Sequence, residues 1–182
     1  MLIPRNEYPR PQFVREKWEN LNGEWQFEID NGRSGESRGF AVEGYQLKDK
    51  IIVPFCPESK LSGIQYTDFM YGVWYKRNFN IEKKVGRIIL HFGAVDYACK
   101  VFINGQNVGE HKGGYVSFSF DITESLREGE NEVAVFAMDD SRDRLIPSGK
   151  QSDKYESYRC MYTRTTGIWQ TVWLSLTIIY QE

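Results

Sequence analysis

Gly113-Gly114-Tyr115-Val116-Ser117-Phe118-Ser119-Phe120-Asp121-Ile122-Thr123 joins a glycine pair to a run whose apolar residues fall on alternate positions. Successive side chains of an extended chain point to opposite faces, so Val116, Phe118 and Phe120 are expected to face a core and Tyr115, Ser117, Ser119 and Asp121 to face away from it. Upstream, residues 97–103, the pair Asn104-Gly105 and residues 106–110 form a predicted hairpin, because Asn-Gly supplies the positive φ angles of a tight primed turn. Downstream, residues 125–129 predict a single helical turn, and residues 131–138 start another alternating strand through Val133, Val135 and Ala137.

The same period of two recurs at residues 24–29, 73–79, 87–92, 97–103, 115–122, 132–138 and 168–176, which predicts an all-β sandwich. In the strand over 73–79 the inward set is Val73, Tyr75 and Phe79; in that over 168–176 it is Ile168, Val172 and Leu174, which leaves Trp169 and Trp173 together on the opposite face. Two tryptophans on one outward face call for a cover, either the N-terminal arm around Trp18 and Trp25 or another domain. Helix is confined to predicted turns at 15–20 and 124–127, since no apolar pattern of period 3.6 runs for three turns. Residues 32–44, polar and rich in glycine, are expected to be a surface connection. Two further stretches, 54–71 and 139–166, exceed the usual length of a connection and are rich in Tyr, Arg, Asp and Ser, the composition of ordered, functional loops.

A chain of 182 residues is long enough to bury a core of its own, and its 15% aromatic content, with five Trp, eleven Tyr and eleven Phe, favours strands. A formal net charge of −2 supplies no long-range attraction for nucleic acid or an anionic membrane, so neither is expected as a partner. No run approaches the roughly 20 apolar residues of a membrane span, and Met1-Leu2-Ile3-Pro4-Arg5 lacks the apolar centre of a signal peptide. Cys56, Cys99 and Cys160 are odd in number and widely spaced, so neither a disulfide framework nor a zinc site is expected and all three are read as buried small hydrophobes. The clustered charges of Asp139-Asp140-Ser141-Arg142-Asp143-Arg144 do not have the spacing of a calcium loop, and their arginines neutralise them; no metal and no cofactor is expected. His91 and His111 have no nucleophile beside them and are read as structural.

The order of these pieces resembles the N-terminal, sugar-binding domain of glycoside hydrolase family 2, the family of β-galactosidases, β-glucuronidases and β-mannosidases. The resemblance rests on Leu21-Asn22-Gly23-Glu24-Trp25-Gln26-Phe27, Val53-Pro54, Val73-Trp74-Tyr75-Lys76-Arg77-Asn78-Phe79, Val101-Phe102-Ile103-Asn104-Gly105-Gln106-Asn107-Val108-Gly109, the glycine-aromatic run above, and Thr166-Gly167-Ile168-Trp169-Gln170-Thr171-Val172-Trp173-Leu174. It covers nearly the whole chain. It implies a jelly-roll-like β-sandwich of the galactose-binding-domain type, formed by residues 1–182 as a single domain. The ending at residues 176–182 looks like a cut inside a strand or linker of a longer hydrolase.

The resemblance also assigns candidate substrate-binding residues. In the family, the residue at this point of the loop before the Trp-Tyr strand reaches into the active site of the neighbouring barrel and contacts the terminal sugar; here it is Asp68, where the best-known β-galactosidases carry an amide. Tyr66 and Tyr71 flank it, and a carboxylate between aromatic rings suits a sugar's hydroxyls and C–H face. The alternative is a turn-capping Asp. Several members place an aspartate six residues before the Gly-Ile pair; this chain has Met161 there, which leaves Tyr162 and Arg164 as the polar candidates. Arg164 offers a planar fork for a carboxylate of an acidic sugar or a partner domain, or else for pairing within its own loop.

Glycosidases of this family use two carboxylic acids about 5 Å apart, and the resemblance places both glutamates on a TIM barrel downstream, so this chain has no catalytic candidate. The expected role is an accessory sugar-binding domain of a retaining glycosidase. Its partners would be a terminal β-galactoside, or else a β-glucuronide, and the immunoglobulin-like and barrel domains of the same parent chain. The alternatives are a free-standing carbohydrate-binding module with Trp169 and Trp173 as its platform, and a scaffold for protein contacts.

Overall fold

The computed structural model describes residues 3–82 and 86–177; the expected cut over 176–182 lies mostly outside them. Twelve strands follow in order: β1 Trp18–Asn20, β2 Gly23–Ile29, β3 Asp49–Val53, β4 Gly72–Ile81, β5 Arg87–Phe92, β6 Val95–Asp96, β7 Ala98–Ile103, β8 Gln106–Lys112, β9 Phe118–Asp121, β10 Gly129–Met138, β11 Gly167–Ile168 and β12 Val172–Thr177. They build an all-β, jelly-roll-like sandwich. One sheet has the order β3-β2-β4-β10-β7-β8, the other β1-β12-β5-β9, and β11 pairs with β6 as a short third sheet. Every ladder between strands is antiparallel.

Alternation sets which residues meet between the sheets. Val73, Tyr75, Phe79 and Ile81 of β4, with Val133, Val135 and Ala137 of β10, pack with Ile88, Leu90 and Phe92 of β5 and Val172 and Leu174 of β12. Full burial of each large apolar side chain contributes roughly 1.5–3 kcal/mol. The β7–β8 hairpin turns at Asn104 and Gly105, whose φ angles of 49° and 78° are those of the primed turn that the dipeptide favours.

A second apolar layer lies outside the six-stranded sheet. Trp74, Phe102, Ala134 and Phe136 point away from the sandwich interior, and Phe40 and Leu47 from the connection between β2 and β3 fold onto them. Residues 32–44, expected to be a surface connection, thus cover a sheet face. Asp30 anchors the start of this cover, accepting from the backbone N–H groups of Ser34 and Gly35 and from the Trp74 indole. Burial opposes the charge on Asp30, yet these donors hold its carboxyl below the usual range.

Several expectations are corrected. Val116 is 61% exposed because β9 begins only at Phe118; residues 113–117 turn at the sheet's edge, while Phe118 and Phe120 do pack on the core. The expected helical turn at 125–129 is replaced by a 3-10 turn at Thr123–Ser125, and the turn expected over 15–20 ends instead in β1, whose residues pair with β12. The run 168–176 is two strands, broken at residues 169–171, so Trp169 and Trp173 share no platform. Trp173 is 2% exposed and stacked on His91 at 4.8 Å. The N-terminal arm passes the same sheet, with Arg10 bonded to Ser117 of the loop before β9; burial, and after it the Arg10 charge, lowers the pKa of His91 beside Trp173. Trp25 lies in the main core and takes no part in that cover. Of the cysteines, Cys99 is buried and Cys56 partly so, but Cys160 is exposed, on the turn between Tyr158 and Met161.

Candidate functional site

The two long loops, 54–71 and 139–166, meet along one side of the sandwich, and Arg164 joins them. Its guanidinium, 3% exposed, donates to the carbonyls of Ser152, Lys154 and Tyr155 within its own loop and to that of Thr67 in the other. Its plane lies 4.2 Å over the Phe69 ring. Arg142 covers the same ring at 4.4 Å and Tyr71 at 4.9 Å. Its two terminal nitrogens serve four carbonyls while the plane covers an aromatic face, which a lysine's point charge could not do; Nε is buried without a partner. Of the two uses foreseen for Arg164, the structure places it in pairing among loops.

Asp68 therefore stands between two anchored neighbours, Thr67 and Phe69. It is exposed, and its Oδ1 accepts from the Phe69 N–H at 2.7 Å. Tyr162 is 43% exposed, and its backbone is bonded to Lys150 and Ser152. Its hydroxyl meets that of Tyr115, whose pKa is pushed up to about 12 by burial and by this neighbour. The loop tether thus gathers Asp68 and Arg164, and Tyr162 stands two residues from Arg164 on the same strand-like segment.

Beneath these loops lie polar groups that sequence reasoning did not single out. Asp96 accepts from the Gln151 amide at 2.8 Å, and Gln151 Oε1 in turn accepts from the Thr165 N–H. Burial pushes the Asp96 carboxyl up to about 6, with the Gln151 bond opposing. Gly114 packs so closely on Asp96 that a Cβ there would lie 2.1 Å from Oδ1, which explains the second glycine of the pair. Glu58, 7% exposed, accepts from the Thr166 N–H, and its Oε1 has no partner; burial pushes its carboxyl up to about 7. The signal available in the sequence was an acid set in an apolar context, Glu58 after Val53-Pro54-Phe55-Cys56-Pro57 and Asp96 between Val95 and Tyr97. Among the described residues no group of His, Cys, Asp or Glu is arranged to hold a metal ion.

A jelly-roll-like sandwich with long aromatic and acidic loops gathered along one side is an architecture that carbohydrate-recognition domains share with proteins of other functions. The chain belongs to the sugar binding domain of the glycosyl hydrolases family 2, whose sequence pattern matches residues 18–177. It is 35% identical over 113 residues to a β-galactosidase of Thermoanaerobacter pseudethanolicus, a match covering 60% of this chain and 14% of that enzyme. It is 29% identical over 166 residues to β-galactosidase BoGH2A of Bacteroides ovatus, covering 87% of this chain and 18% of that one. Among solved structures, Bacteroides uniformis β-glucuronidase superposes with a TM-score of 0.66 at 25% identity, over 89% of this chain and 18% of that chain. Ruminococcus gnavus β-glucuronidase in complex with C6-substituted uronic isofagomine gives 0.70 at 20% identity, over 92% and 30% respectively. The chain thus spans less than a third of each of these proteins.

Proposed function

We propose that this chain is the accessory sugar-binding domain of a retaining family 2 glycoside hydrolase. Residues 1–182 form a single domain that packs on a catalytic barrel and lends Asp68 and Tyr162 to the pocket for a terminal β-linked sugar. Arg164 acts as a positioning residue, fixing the backbone on both sides of Asp68. The observation that carries the reading is the Arg164 tether between Thr67 and residues 152–155, since a donated side chain contributes to a neighbouring site only if its loop is held in place. The sugar is a β-galactoside first and a β-glucuronide second; relatives bearing both names are similar to this chain. Both catalytic carboxylates belong to the barrel, and the immunoglobulin-like and barrel domains of the parent chain are the partners.

The free-standing module loses its platform, because Trp173 is buried under its own chain, and only the half-buried Trp169 remains. A heteronuclear NMR titration with methyl β-galactoside, methyl β-glucuronide and short β-linked oligosaccharides separates the two readings. The accessory role predicts no saturable shifts at sugar concentrations of about 1–10 mM, the range of weak single-site binding. Saturation at the Trp169 indole would overturn it in favour of an independent module.

A further inference from the structure

Asp139 follows β10 directly and is 3% exposed, yet its carboxylate has no hydrogen bond or ion pair among the described residues. It lines a groove of about 370 Å³ whose walls include Met138, Leu145 and Ile146. The groups that bear on it electrostatically are all acids: Asp96, Glu58 and Asp140. Asp143 also lines the groove, against two bases, Arg33 and Lys112, neither of which pairs with Asp139. The other candidate cations are committed elsewhere, Arg142 to Asp140 and Arg164 to backbone carbonyls. Burial and the neighbouring acids keep the Asp139 carboxyl protonated, its pKa pushed up to about 8, and an arriving cation takes the place of that proton, pairing with the ionised form more strongly than a neutral donor does. The apolar side of the groove is also accessible, with Leu145 at 90% exposure. Carboxylates at the base and aliphatic walls above are complementary to a long apolar stem that ends in a cation.

We propose that this groove receives an arginine or lysine side chain of a docking polypeptide, the cationic head pairing with Asp139 and the stem lying on Leu145 and Ile146. The proposal stands apart from the sugar-contact reading, because neither Asp68 nor Tyr162 lines the groove. It is tested on the whole chain by NMR titration with the peptide acetyl-Gly-Gly-Arg-Gly-Gly-amide and with its citrulline counterpart, which keeps the shape and removes the charge. The arginine peptide is expected to give saturable shifts at Asp139, Leu145 and Ile146 by about 10 mM, and to bind at least about tenfold more tightly than the citrulline peptide, the scale of one charge-assisted pair. Asp139→Asn, which keeps the side chain's size, is expected to remove that preference. Equal binding of the two peptides, saturation at residues outside the groove, or no saturation at all would overturn the proposal. The peptide comparison on the unaltered chain decides the matter even where the variant does not fold.

Discussion

Lys76 lies on the outward face of β4 and is nevertheless fully buried. Its ammonium is 2.7 Å from Glu132 on β10 and donates to the carbonyls of Val42 and Tyr45 in the connection that covers the sheet. One cation thus neutralises a buried acid and fastens the cover. Removing one partner of such a pair leaves the other uncompensated, which costs more than the pair itself contributes. Lys76→Met is therefore expected to lower unfolding free energy by about 3–5 kcal/mol, as measured by urea denaturation, whereas replacing exposed Lys50, paired with Glu24 in solvent, is expected to change it by less than about 1 kcal/mol. Gly114 presents the opposite constraint, of space. With Asp96 Oδ1 in the position a Cβ would take, Gly114→Ala must displace the loop or the carboxylate, and a loss of about 1–3 kcal/mol is expected in the same assay.

The elements show which parts of this architecture sequence patterning conveys. Residues 87–92 alternate in burial because β5 has one deeply buried face, whereas residues 72–76 of β4 and 131–137 of β10 are buried on both faces. Alternation carries no such signal where both faces are covered. Trp74, Phe102 and Phe136 look like outward residues of half-buried strands until the connection bearing Phe40 and Leu47 is laid over them. Short strands escape notice for a different reason: Trp18–Asn20 is held by its pairing with β12, and Asp49–Val53 by pairing with β2, neither by a pattern of its own. At the candidate site, family resemblance supplied Asp68, Tyr162 and Arg164, but the long-range bonds that separate an exposed Asp68 from a buried Arg164 are set by tertiary packing. Because one planar guanidinium serves four carbonyls, Arg164→Lys is expected to leave buried acceptors unpaired, to cost about 2 kcal/mol, and to speed proteolytic cleavage within residues 139–166. Unchanged cleavage there would remove the tether from the account.

Glu58 and Asp139, buried acids with no cation paired to them among the described residues, give the stability of the molecule as a whole a predicted pH dependence. The Glu58 carboxyl is raised from 4.5 to about 7 by burial, and that of Asp139 from 3.8 to about 8 by burial and the charges of Asp96, Glu58 and Asp140. Arg33 and Lys112 share the groove with Asp139 without pairing to it. A folded state that holds protons the unfolded chain has released is stabilised at low pH, and that stabilisation is lost as pH rises through the folded pKa values. His91, lowered from 6.5 to about 4 by burial and by Arg10, works in the other direction and loses its contribution as pH falls below 6.5. The thermal midpoint is accordingly expected to fall by several degrees between about pH 6.5 and 9, and to fall less in Asp139→Asn and Glu58→Gln; scanning calorimetry across that range checks it. The sugar-contact role of Asp68 is tested most directly by kinetics in a chain where this domain precedes its catalytic barrel. There, Asp68→Ala is expected to lower kcat/KM for the preferred β-glycoside by about 10- to 100-fold, the scale of a charged hydrogen bond, with the thermal midpoint preserved. An unchanged kcat/KM for both β-galactoside and β-glucuronide would contradict the account.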